Sequence, residues 1–273
     1  MSPLPLLCTV RRWGCALWWA AGLGWWVGTA AAQGTSGTAQ VAAAANMQTA
    51  LSELVPLFER EATALGKASR VSLTMGSSAN LVRQIQQGLP AELFLSADED
   101  FALRLADAGL TPDRGVVYAT GRLVLVVPKD SALTLDPQLA GLKDALTSAP
   151  ASIDKFAIAN PELAPYGKAA VQALQKQAVW PLLLPKLVMG ENIAQTTQFI
   201  SSGAAPAGIT ALALVLAPAV APRVRYVVVA SALHAPIRQR MVLLKTAGPA
   251  ARAFYVFLQS PAARQVLLRH GYE

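Results

Sequence analysis

Small and neutral polar residues recur in this sequence where apolar runs give way to helical patterns: Ala45-Asn46, Ser77-Ser78, Ala97-Asp98, Tyr166-Gly167 and Asn192-Ile193. A helix start carries backbone N–H groups without intrahelical partners and a partial positive charge, so it can hold an anion without a cationic side chain. Several such starts converging on one cleft would ring a tetrahedral dianion with N–H and O–H donors. Ordinary capping explains Ser or Asn at any single helix start. It is the recurrence, in a chain with little other chemistry, that points to anion capture. The junctions do not name the anion.

Other chemistries are poorly provided for. The 2 histidines, His234 and His270, each stand alone, so a three-ligand site of the usual His/carboxylate kind is not expected. There is no Gly-x-Ser-x-Gly elbow, no Gly-x-x-x-x-Gly-Lys-Ser/Thr loop and no Gly-x-Gly-x-x-Gly fingerprint. No catalytic residue, resident metal or cofactor is therefore expected, and the chain reads as a binding protein rather than an enzyme. A net charge of +7 favours anions at long range. The basic residues are scattered, however, which argues against a nucleic-acid partner.

The first 32 residues read as an export signal, not as fold. Arg11-Arg12 precedes an uncharged apolar run from Cys15 to Ala30, closed by Ala30-Ala31-Ala32 before Gln33. As a membrane anchor the run is short of the roughly 20 residues a spanning helix needs, and Gly22, Gly24 and Gly28 weaken it as a helix. A mature chain starting at Gln33 would be periplasmic. It would contain neither cysteine, since Cys8 and Cys15 leave with the signal, so thiolate chemistry is closed off.

The elements that must position the junctions follow a strand, turn, helix rhythm. Val41–Ala45 is an apolar run, and Asn46 reads as the N-cap of a helix with Met47, Leu51, Leu54 and Phe58 on one face. Val71–Met75 and Glu92–Ser96 read as strands, each followed by a helix. Leu123–Val127, Phe156–Ala159, Leu187–Met189, Ala207–Thr210 and Tyr226–Val229 read as further strands. Helices are expected from Gly167 to Ala178, Ile193 to Ile200, Pro249 to Leu258 and Ala262 to His270. This alternation implies an open α/β architecture, with ligand crevices at the carboxyl ends of the strands.

At these junctions the sequence resembles the molybdate-binding proteins of bacterial ABC importers. The segments that carry the resemblance are Ala43–Met47, Gly76–Ile85, Gly88–Asp98, Asn160–Gly167, Asn192-Ile193 and Ser202–Gly208, in one order along nearly the whole mature chain. It implies a two-lobed type II periplasmic-binding fold with two crossover segments and a cleft between lobes. Lobe 1 would hold residues 33–120 and 231–273, and lobe 2 residues 121–230. The implied ligand is molybdate or tungstate, delivered by a monomeric protein to an inner-membrane ABC permease.

Carried over position by position, the resemblance implies that Asn46 offers its backbone N–H and side-chain amide, and Ser78 its hydroxyl and N–H. Ala97, Tyr166 and Ile193 would donate backbone N–H groups. Ala45 stands where a relative has Thr, so a hydroxyl contact is absent there, and Ala211 stands where some members have a ligand-binding Tyr. Sulfate, thiosulfate or another small anion remains the alternative ligand, and a periplasmic anion sensor the alternative role.

Overall fold

Strand β1 (Gly37–Ala44) is buried from Val41 onward, as its run of small apolar residues dictates, and passes through a 3-10 turn (Ala45–Met47) into α1 (Gln48–Ala64). The computed structural model describes residues 37–147 and 153–273; the expected export signal, 1–32, lies outside them. Leu51, Leu54 and Phe58 are buried on the inner face of α1, with Met47 buried just before it, as their spacing requires. Two strand–helix units follow: β2 (Ser69–Gly76) with α2 (Ser78–Gln86), and β3 (Leu93–Leu95) with α3 (Glu99–Asp107). Next come β4 (Val116–Gly121), β5 (Leu123–Pro128) and α4 (Ala140–Thr147). They lead to β6 (Phe156–Ala159), α5 (Pro165–Lys176), the short α6 (Trp180–Leu183), β7 (Leu187–Gly190) and α7 (Ile193–Ser201). The chain closes with β8 (Ala207–Ala211), the short α8 (Leu212–Val215), β9 (Val224–Val228), β10 (Ile237–Leu243), α9 (Pro249–Phe257) and α10 (Pro261–Arg269).

The strands form two 5-stranded sheets, in the orders β2-β1-β3-β10-β4 and β7-β6-β8-β5-β9. Both have one plan. Three parallel strands (β2, β1 and β3; β7, β6 and β8) are flanked by an antiparallel fourth, β10 in one sheet and β5 in the other. The outer strands β4 and β9 pair antiparallel with those two. The chain therefore crosses between sheets twice: at Arg122, the one residue between β4 and β5, and again between β9 and β10. Each sheet with its helices is one lobe, and the architecture is the two-lobed α/β fold.

Hydrophobic periodicity does not mark β4 and β10 as strands. In β10 the polar run Arg238, Gln239 and Arg240, with Gln239 fully buried, separates Ile237 from the buried Met241, Val242 and Leu243 and so interrupts the apolar signature. Lobe 1 is further locked by Phe58, Phe254 and Phe257, whose ring centroids lie 5.0 to 6.0 Å apart. Such contacts tie α1 to α9 and add about 0.5–1.5 kcal/mol per pair beyond the area buried.

Candidate functional site

Register brings the junctions of each lobe to one edge. Ala44 pairs with Gly76 and Ala43 with Leu95, so β1, β2 and β3 end level, and Asn46, Ser78 and Ala97 follow directly from those ends. In the second lobe Ala159 pairs with Gly190, and the chain beyond them delivers Tyr166 and Ile193. All of these positions lie at the carboxyl ends of parallel strands, where crevices form.

The two edges face each other. Ala44, Ala45 and Ala97 of the first lobe share one packed cluster with Ala164, Tyr166 and Ile193 of the second. Ala79 N–H donates to Leu163 O at 3.1 Å, Asn80 Nδ2 to Glu191 Oε1 at 2.5 Å, and Lys168 pairs with Asp100 at 3.3 Å. The candidate contacts are sealed inside: Asn46 is 0% exposed, Ser78 1%, Tyr166 1%, Ala97 2%, and Ala45 and Ile193 4%. Any solute held among them enters only when the lobes part.

Three of the expected residues, Ser78, Tyr166 and Ile193, have a backbone N–H left over at a helix start. In α2, Ala79 N–H is taken by Leu163 O and Leu81 N–H by Ser77 O, while Ser78 N–H has no partner among the described residues. In α5, Pro165 has no N–H, and Gly167 and Lys168 both donate to Ala164 O, which leaves Tyr166 N–H. In α7, Asn192 Oδ1 takes Ala194 N–H and Gln195 N–H, each at 3.0 Å, and leaves Ile193 N–H. Ala97 N–H donates to Ser78 Oγ at 3.1 Å, so that hydroxyl keeps its own hydrogen to give elsewhere. Ser77 Oγ is buried beside it with no partner. None of the candidate residues carries a charge.

Asn192 sets which N–H of α7 stays free, so its loss has a defined cost. Asn192→Ala should lower the stability to unfolding by about 1 kcal/mol, as loss of an N-cap does. A thermal denaturation series checks this; an unchanged midpoint would mean that the cap is not needed to hold the helix start.

Asn46 departs from expectation. It sits inside the 3-10 turn and caps nothing, because α1 begins after Met47. Its side chain is claimed by distant partners instead: Asn46 Nδ2 donates to Gln239 Oε1 at 2.9 Å and to Tyr272 Oη at 3.0 Å, and Asn46 Oδ1 is buried with no partner. Tyr272 Oη donates to Asn46 O at 2.8 Å. The C-terminal residue delivers Tyr272 there, since Glu273 exchanges backbone hydrogen bonds with Thr120 of β4 at 2.7 and 3.0 Å. Gln239 also receives Tyr118 Oη–H at 2.9 Å and donates from Nε2 to Tyr166 Oη at 3.0 Å. Burial pushes the phenols of Tyr118, Tyr166 and Tyr272 above their ordinary range, so all three remain neutral donors. Burial likewise raises the Asp98 carboxyl, against hydrogen bonds from Phe101 N–H and Ser96 Oγ that pull it down. Gln239, Tyr118 and Tyr272 carry no signal of a role here in the sequence. They lie far along the chain from Asn46, and no local spacing marks them.

A two-lobed α/β frame with neutral donors at the facing strand ends of both lobes is a frame suited to binding a solute. The chain belongs to the family of bacterial extracellular solute-binding proteins, whose model matches residues 39–273. It is 34% identical over 240 residues to the molybdate-binding protein ModA of Rhodobacter capsulatus, covering 87% of this chain and 88% of that one. ModA of Azotobacter vinelandii is also 34% identical, over 236 residues, 85% of this chain and 88% of the relative. The solved structure of the Azotobacter vinelandii periplasmic molybdate-binding protein superposes with a TM-score of 0.74 at 28% identity, covering 86% of this chain and 98% of the other.

Proposed function

We propose that this chain captures molybdate or tungstate in the periplasm and delivers it, as a monomer, to an ABC permease of the inner membrane. Residues 1–32 would act as the export signal, with lobe 1 formed by 33–120 and 231–273 and lobe 2 by 121–230. The observation that carries the reading is the set of leftover donors: N–H groups of Ser78, Tyr166 and Ile193 and the hydroxyl of Ser78, contributed by both lobes. Asn46 would complete the ring, while Ala97, whose N–H is taken by Ser78 Oγ, would orient that hydroxyl, and Ala45 packs beside them.

The chemistry suits a fully ionised tetrahedral dianion. Such an ion needs donors and carries no proton of its own, so uncharged N–H and O–H groups suffice and no titration is required. A phosphate that keeps a proton at neutral pH would need an acceptor, and a donor-only ring discriminates against it. Molybdate-binding relatives along most of the chain favour molybdate over smaller dianions. Lobe closure would trap the ion, and a permease would read the closed form.

Calorimetric titration of the mature protein with molybdate, tungstate, sulfate and phosphate tests this. Tight binding of molybdate or tungstate is expected, with phosphate silent. Tight sulfate binding without a molybdate response would overturn it.

A further inference from the structure

We propose that Gln239 is the positioning residue of this site: its carboxamide and that of Asn46 rotate as a coupled pair, and Gln239 decides whether Asn46 shows the ligand a donor or an acceptor. This rests on the anion reading above, and concerns residues that do not follow from it.

As found, Asn46 faces Gln239 with its nitrogen, and the buried Oδ1 is left without a partner. A lone acceptor is the wrong group to offer a dianion, and an unpaired buried carbonyl is costly in itself. Rotation of a carboxamide by half a turn exchanges oxygen and nitrogen without moving any other heavy atom. Asn46 alone cannot turn, because its oxygen would then face Gln239 Oε1, acceptor against acceptor. Gln239 must turn with it.

The surroundings accept the paired rotation. Gln239 nitrogen would then donate to Asn46 Oδ1 across the 2.9 Å contact and to Tyr118 Oη across the other 2.9 Å contact. Tyr118 would pass its hydrogen to Ser96 O, already 3.3 Å away. Tyr166, which now only receives from Gln239 at 3.0 Å, would donate its own hydrogen to the Gln239 oxygen. The one conflict is at Tyr272, whose single hydrogen would choose between Asn46 O at 2.8 Å and Asn46 Oδ1 at 3.0 Å. As found, one carbonyl oxygen is short; the rotated form leaves one carbonyl oxygen and both N–H groups of Asn46 short, so without an anion the found arrangement is favoured. An anion tips the balance, because the rotated form frees both N–H groups of Asn46. Since Gln239 bonds Tyr166 of the opposite lobe in either form, turning the pair also reverses the direction of an interlobe hydrogen bond.

A double-mutant cycle separates positioning from general damage. Gln239→Met keeps length and removes both hydrogen-bonding ends; molybdate affinity measured by calorimetry should fall about 10- to 100-fold, the range for a charge-assisted hydrogen bond. Asn46→Ala should fall by a similar factor, and the double variant should fall no further than Asn46→Ala alone. Losses that multiply, or a Gln239→Met protein that binds like wild type, would overturn the proposal. A second measurement does not depend on the variants folding. In wild-type protein, the side-chain amide resonances of Asn46 and Gln239 should shift together on adding molybdate. A Gln239 resonance that stays put while Asn46 moves would overturn the coupling and leave the anion reading intact. A wild-type protein that gives no heat with molybdate would overturn both.

Discussion

Ser78→Asp should abolish binding of a dianion while leaving the protein folded. Ser78 is the first residue of α2 and 1% exposed, and its Oγ already accepts the Ala97 N–H at 3.1 Å. An aspartate there keeps an acceptor for Ala97 and gains the favourable end of the helix dipole, which together offset part of the cost of burying its charge. What it cannot do is share the space with a second anion. Unit charges about 4 Å apart repel by about 4 kcal/mol at an effective dielectric of about 20, and a dianion roughly doubles that. About 8 kcal/mol is the whole free energy of a micromolar complex. Ser78→Ala is the milder partner experiment: it removes one donor and should cost about 1–3 kcal/mol of affinity. Calorimetry with molybdate, alongside a melting curve for each variant, checks both. An aspartate variant that binds within tenfold of wild type would take Ser78 out of the site.

The sequence carries these donors legibly because their chemistry is local. A strand end, a small residue and a helix start lie within a few residues of one another, and parallel-strand topology places every such junction on the same edge. Backbone N–H donation also makes side-chain identity secondary, so Ala97, Tyr166 and Ile193 can be placed without knowing their side-chain contacts. Asn46 shows where that logic stops. Local capping preference predicts that it caps α1, but Gln239 and Tyr272 hold its nitrogen instead. Those partners sit 193 and 226 residues away in the chain. Strand β10 is hard to read for the same reason: one of its inward side chains is a glutamine that bonds Asn46, Tyr118 and Tyr166. Hydrophobic periodicity finds strands whose apolar run is unbroken, and a buried glutamine between two arginines breaks it here.

Gly121→Val should separate the lobes and weaken anion binding by roughly two orders of magnitude, although residue 121 carries no group for the ligand. Gly121 ends β4, immediately before the crossover at Arg122. A Cβ there would lie 2.0 Å from Tyr166 Oη and 2.7 Å from Gln239 Nε2. The need for glycine at this point is one of space: Tyr166 comes across from the second lobe and lays its hydroxyl against bare backbone. Tyr166 is 1% exposed and anchored at the start of α5, so it cannot swing aside without carrying its own N–H, a proposed ligand donor, out of line. Overpacking of this kind costs about 1–3 kcal/mol. Here the molecule can relieve it by opening at the crossover, so the cost is drawn from closure and therefore from affinity. Each 1.4 kcal/mol is about tenfold in the binding constant. The expected result is a loss of molybdate affinity with a larger radius of gyration in solution scattering at saturating molybdate, and a smaller effect from Gly121→Ala. If Gly121→Val binds molybdate as tightly as wild type, the packing of Tyr166 against the crossover does not control closure.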